Sequence, residues 1–114
     1  MSKDALVYVY HMLEAINNIE SFMVGLSEQN FYKNKMAQDA VIRNLEIIGE
    51  AAKHISKTVR NKYPEIEWKR IAGLRDILIH EYFGVDLEKV WNVSKGRLPE
   101  LKRKMSKIIA DTAL

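Results

Sequence analysis

The sequence contains no cysteine. Disulfides and thiolate metal sites are therefore excluded, and nothing in the composition argues for secretion. The three histidines do not stand in H-x-x-x-H or H-E-x-x-H spacing, so no metal is expected. The few glycines form no phosphate-cradling loop, and no cofactor is expected. Apolar runs are short: none approaches the ~18 residues that a membrane span needs. The first residues carry no signal-peptide pattern. The expectation is a cytoplasmic chain with no membrane association. Alternating apolar and polar segments are also missing, which argues against strands. The DNA-reading modules find no match either.

What is present points to helices. At 114 residues, 47% hydrophobic and 29% charged, the chain reads as a single domain over residues 1–114. A chain of this size buries roughly 60% of its unfolded surface, enough for a core without staples. The net charge of +3 is uneven. From Asp86 onward seven Lys and Arg stand against four acids, while the first 85 residues balance. That basic excess (Lys95, Arg97, Lys102, Arg103, Lys104 and Lys107) can be read as a stripe that steers a phosphate backbone. It can also be read as a solvated helix face with cations near a C-terminus.

Leu6, Val9, Tyr10, Leu13, Ile16, Ile19, Met23 and Leu26 repeat at three- and four-residue steps, predicting a first helix over 4–26 that ends at Gly25. Residues 27–30 read as a loop or a fray, with Phe31 and Tyr32 tucked back on the core. A second helix is predicted over 35–58 from Ala37, Ala40, Val41, Leu45, Ile47, Ile48, Ala51, Ala52 and Ile55. Its small residues, Gly49 among them, allow a close neighbour. Residues 59–68 form the longest connection, with Pro64 disfavouring helix at Tyr63 and Ile66 and Trp68 as anchors. Gly84 suits a left-handed position after a helix. Asp86 suits an N-cap for a last helix over 87–110, which Pro99 should kink or divide. The stripe of that helix passes through Ser94, a polar residue at an apolar position. The class is all-α, an antiparallel bundle of four to five helices.

One stretch, Leu74-Arg75-Asp76-Ile77-Leu78-Ile79-His80-Glu81-Tyr82-Phe83, is apolar enough to bury yet carries chemistry. Read as a helix, it has an apolar arc over roughly two thirds of its surface, with Arg75 inside the arc between Ile79 and Tyr82. A guanidinium keeps its charge, so burial demands a partner. Glu46 and Glu50, one turn apart on the second helix, are candidates; the alternative is an interface that admits an anion. Asp76 and His80 are neighbours at i and i+4, a placement in which the carboxylate can fix the imidazole tautomer. Arg75 and His80 point about 140° apart, so two copies facing each other would place both groups on one atom more easily than one copy. The bland alternative is Arg75 paired to a Glu with His80 as a helix-end cap. An Arg and a His without a metal suit phosphodiester chemistry, the one neutralising phosphate and the other moving protons.

The same stretch matches the R-x4-H motif of the HEPN superfamily, with Asp76 as the polar residue that commonly follows the arginine. Residues 71–86, with the R-x4-H-x-Y form on Arg75, His80 and Tyr82, resemble the HepT family of bacterial and archaeal toxins. So does Arg43-Asn44-Leu45-Glu46-Ile47-Ile48-Gly49-Glu50-Ala51. The resemblance spans roughly residues 4–110. It implies a HEPN-like helical homodimer with a composite, metal-free ribonuclease site acting on RNA, in which Arg75 and His80 are catalytic and Asp76 supports them. It implies a MntA-type minimal nucleotidyltransferase as antitoxin, which transfers AMP to Tyr82 and silences the toxin. Two other readings stay open. One is a non-catalytic accessory subunit that binds nucleotide or substrate for a nucleotidyltransferase. The other is a structural dimerisation unit with Arg75 paired to Glu46 or Glu50.

Overall fold

Helical periodicity becomes three long helices and several short ones. The computed structural model describes residues 3–74, 76, 79–80 and 84–112. Helix α1 spans Lys3–Met23, α2 Glu28–Lys33, α3 Lys35–Lys53, α4 Lys57–Lys62 and α5 Trp68–Ala72. Two short strands follow, β1 (Ile79–His80) and β2 (Gly84–Val85). Helix α6 (Leu87–Asn92) runs through a π-helical turn (Val93–Arg97) into α7 (Leu98–Thr112).

The core forms where α1, α3 and α7 share their apolar faces. Val9, Met12, Ile16 and Ile19 of α1 meet Val41, Leu45 and Ile48 of α3 and Met105 and Ile108 of α7, all of them buried. Phe31, Val59 and Val90 join this core from α2, α4 and α6. Two contacts fix the direction of α3. Tyr8 stacks on His54, and the Asn18 side chain donates to Asn44 Oδ1 at 3.1 Å. Ascending α1 therefore pairs with descending α3, and the two helices are antiparallel. The all-α bundle expected from periodicity is present, divided more finely than the periodicity suggested.

The divisions have local causes. Ser27 accepts a bond from the Asn30 amide and caps α2, so residues expected to fray form a helix instead. Phe31 tucks into the core as expected, whereas Tyr32 stays partly exposed (37%). Asn34 closes α2 and caps α3 through a bond from the Ala37 amide. The Gln38 amide, buried on α3, donates to the carbonyls of Phe31 and Tyr32 and so satisfies the end of α2. The second long helix stops at Lys53 rather than reaching Thr58, because Ser56 caps a new helix by accepting from the Val59 amide. Tyr10, expected in the core stripe, is half exposed (50%) while Met12 is fully buried. Tyr10 stands about 100° round the helix from Val9, on the outward side.

The anchors of the long connection hold as the sequence suggested. Ile66 and Trp68 are buried, and the Trp68 indole donates to the Tyr63 carbonyl at 3.0 Å. Gly49 permits the close approach expected of a small residue. A Cβ there would stand 3.3 Å from the Ile71 carbonyl oxygen and 3.4 Å from that of Ala72. The end of α5 is thereby seated on α3.

The central stretch departs from the helix read in the sequence. Leu74 and Asp76 have helical backbone, but Ile79–His80 is extended and pairs antiparallel with Gly84–Val85, Ile79 opposite Val85 and His80 opposite Gly84. The run from Ile77 to Val85 is rich in β-branched and aromatic residues, which favour strand. Gly84 takes the left-handed conformation anticipated for it (φ 78°), in a hairpin rather than after a helix. Asp86 does cap the following helix, accepting from the Lys89 amide at 3.1 Å.

Pro99 does not end the last helix. The interruption lies just before it, where the Leu98 amide donates to the Val93 carbonyl across a wider turn. Such a π-turn re-phases a helix at a point where the regular hydrogen-bond ladder fails. Among the described residues no helix is long and apolar enough to cross a membrane.

Candidate functional site

The seating of α5 on α3 places the start of the central stretch between two clefts. One, of about 480 Å³, lies between α1 and α3 and is lined by Tyr8, His11, Arg43, Glu46, Glu50, His54 and Asp76 among others. The second, of about 550 Å³, opens on the far side of Leu74, toward Arg70, Asn92, Arg97 and Leu101. The residues that lead into Arg75 thus form a wall with a cleft on either side.

The first cleft owes its lining to the antiparallel register of α1 and α3. Tyr8 lies nearly parallel to His54, with ring centroids 4.9 Å apart and planes 17° apart. His11, one turn further along α1, meets Tyr8 edge-on at 5.8 Å. Glu50 sits beside the imidazole, with Oε1 3.8 Å from His54 Nε2 and Oε2 3.7 Å from Lys53 Nζ. These are exposed pairs, worth little on their own. Glu46 lines the same cleft, half-buried. Arg43 is exposed, and among the described residues no hydrogen bond or ion pair engages it.

The residues singled out by motif fall differently. Asp76 is exposed at the first cleft, its amide bonded to the Gly73 carbonyl at 3.1 Å. Because His80 lies on β1, the one-turn pairing of Asp76 with His80 along a helix does not occur. The angular relations of Arg75 to His80 and Tyr82 that rest on a continuous helix lose their basis for the same reason. Arg75 and Tyr82 themselves lie outside the described residues, as does the question of which carboxylate meets Arg75. Glu46 and Glu50 share one cleft, and Glu50 is paired with Lys53 and His54.

The sequence reading passed over Tyr8, His11, Arg43 and His54 as site residues. A Tyr and a His one turn apart on α1 were visible as neighbours. Their meeting with His54 depends on the register of two helices far apart in sequence, which no local pattern encodes. The basic stripe of the last helix is partly neutralised: Lys102 Nζ lies 3.1 Å from Glu20, while Arg103 and Lys104 share Glu100 at 3.5 and 3.6 Å. Lys95 rests over the Trp91 ring at 5.2 Å. The solvated-face reading therefore describes most of that stripe.

Comparison with known proteins adds a family. A family model described as "Ribonuclease HepT-like" matches residues 12–108. "Putative RNase MJ1216" of Methanocaldococcus jannaschii is 45% identical over 109 residues, covering 96% of this chain and 90% of that protein. "Probable ribonuclease HepT" of Thermococcus cleftensis is 45% identical over 101 residues, 89% of this chain and 92% of that protein. A longer M. jannaschii protein, "Gamma-glutamylcyclotransferase and putative RNase MJ0434", is 47% identical over 111 residues. The chain covers 97% of itself in that match but spans only half the length of that relative (50%). No solved structure matches the chain.

Proposed function

The chain belongs to the HepT-like ribonuclease family of the HEPN superfamily, and we propose that it is a metal-independent endoribonuclease acting as the toxin of a HEPN–nucleotidyltransferase pair. The observation that carries this reading is the extent of the family match, 12–108, which encloses Arg75, Asp76, His80 and Tyr82 with their flanking residues. A single HepT-like domain over 1–114 acts as a homodimer, with the R-x4-H motifs of two copies contributing to one site. The exposed Val7 and Tyr10 on α1 (41% and 50%), flanking the Tyr8–His11 cleft, are apolar surface that a second copy can cover.

Two residues carry the chemistry. Attack of a ribose 2′-oxygen on the adjacent phosphorus forms a new P–O bond and breaks the bond to the 5′-oxygen. His80 takes the 2′-OH proton or supplies one to the departing 5′-oxygen. Arg75 stabilises the charge that grows on the non-bridging oxygens. The products are a 2′,3′-cyclic phosphate and a 5′-hydroxyl. Asp76 supports the motif from the cleft edge. A MntA-like nucleotidyltransferase silences the site by transferring AMP to Tyr82.

The test is direct. Arg75→Ala and His80→Ala each lower RNA cleavage by about 10²–10⁴-fold while far-ultraviolet circular dichroism and Tm stay near wild type. Cleavage persists in excess EDTA. Activity that requires added Mg²⁺, or survives in the double variant, removes the assignment. Variants that unfold instead favour a structural role for Arg75. RNA binding without cleavage in the wild type favours the accessory-subunit reading.

A further inference from the structure

Apart from Asp76 at its edge, the Tyr8–His54 cleft takes no part in the chemistry above, yet its composition is that of a ligand site. A stack of two aromatic rings meets solvent here: the His54 side chain is about half accessible (53%). An exposed guanidinium, Arg43, lines the same cleft with no partner among the described residues. The volume of about 480 Å³ falls among small-ligand sites. Any π-faced base can extend an aromatic stack, whatever its sequence. A guanidinium offers a planar fork that matches phosphate oxygens. An aromatic platform and a free guanidinium within one cleft are together complementary to a nucleotide.

We propose that the Tyr8–His54 stack and Arg43 form a nucleotide subsite that holds one base and one phosphate of the RNA strand beside the R-x4-H motif. The position of Asp76 on the cleft wall favours a strand over a free nucleotide. That residue directly follows Arg75, so a chain whose base rests on His54 continues toward the motif. Tyr8, braced edge-on by His11 at 5.8 Å, holds the imidazole plane. Glu46 and Glu50 make the cleft less cationic than an open phosphate track, so the subsite fixes the position of one nucleotide rather than gathering charge. The identity of the strand rests on the ribonuclease reading; the subsite itself does not.

The experiment uses the full chain and a short 2′-O-methyl oligoribonucleotide, which lacks the 2′-OH nucleophile and survives intact. Fluorescence anisotropy at several salt concentrations reads its affinity. Loss of one stacking partner is expected to weaken binding roughly tenfold in His54→Ala and Tyr8→Ala, whereas His54→Phe retains it. Arg43→Gln weakens binding and lowers the slope of log affinity against log salt by roughly 0.7, the value for one phosphate on a single strand. His54 and Arg43 are exposed, so their variants fold even if Tyr8→Ala does not. Wild-type binding in His54→Ala and Arg43→Gln overturns the subsite, as does a wild type that fails to bind the probe. Free AMP competing at the affinity of the oligonucleotide overturns the strand assignment. The two readings fail separately. A chain that binds the probe through these side chains but cleaves nothing keeps the subsite and loses the nuclease. A chain that cleaves RNA with His54 and Arg43 irrelevant to binding does the reverse.

Discussion

Two tyrosines carry predictions at the residue scale. Tyr82 follows His80 by two positions, and a phenol is not needed for the proton transfers proposed above. Tyr82→Phe should therefore keep most of the nuclease activity and escape the nucleotidyltransferase. With partner and ATP, wild type should gain one or more AMP masses on Tyr82; an intact-mass spectrum without adduct, or with the same adduct on Tyr82→Phe, excludes the modification. Tyr63 belongs to the fold. It is buried, and its hydroxyl donates to Asp111 Oδ2 at 3.1 Å, tying the end of α4 to α7. Burial first, then the Asp111 carboxylate, pushes its pKa above the ordinary phenol value. The neutral phenol is thus the form the folded state favours. Its contribution is complete below pH ~10, the unfolded value, and is lost as pH rises through the higher folded value. Tyr63→Phe should cost about 1 kcal/mol at neutral pH, and the gap to wild type should close above pH ~10 in urea titrations. Tyr32, bonded to Glu28 at 2.6 Å and pushed up to about 12, ionises late as well. Absorbance titrations should therefore include a Tyr32→Phe control.

At the scale of elements, the central stretch and the interrupted last helix show different physics. The hairpin at Ile79–His80 and Gly84–Val85 arises where an apolar run fits a helix face and a buried strand equally well. The β-branched Ile79 and Val85, opposite one another in the pair, favour strand. The π-turn at Val93–Arg97 places the interruption immediately ahead of Pro99. Ser94, inside this turn, is buried, and its hydroxyl has no hydrogen-bond partner among the described residues. An unsatisfied buried hydroxyl costs about 1–3 kcal/mol, and Ala removes it without opening a large cavity. Ser94→Ala should raise the midpoint of chemical denaturation, with the slope unchanged. A clear loss of stability would mean that the hydroxyl is bonded in solution.

For the molecule as a whole, the prediction is association. Sedimentation at micromolar concentration should give about twice 13.2 kDa, and Tyr10→Arg, at the half-exposed ring on α1, should shift the equilibrium toward monomer. A wild-type monomer with full nuclease activity would remove the composite site. The charge distribution does not oppose association. From Asp86 onward seven cations stand against four acids, yet Lys102, Arg103 and Lys104 are each paired with a carboxylate.

The sequence by itself determined the helical class, the faces that became the core, the cap at Asp86, the left-handed Gly84, the close approach at Gly49 and the R-x4-H pattern. Each depends on residues within a few positions of one another, where periodicity, side-chain size and backbone freedom act directly. Tertiary structure alone decided that Tyr8 meets His54 and that Asn18 meets Asn44, because the register of α1 against α3 is set by packing across the whole core. It likewise decided that Ile79–His80 pairs with Gly84–Val85, since a strand needs a partner and a helix does not. Motif spacing therefore named candidate residues for chemistry, but the Tyr8–His54 cleft, with Asp76 on its wall, appeared only when two distant helices were laid side by side.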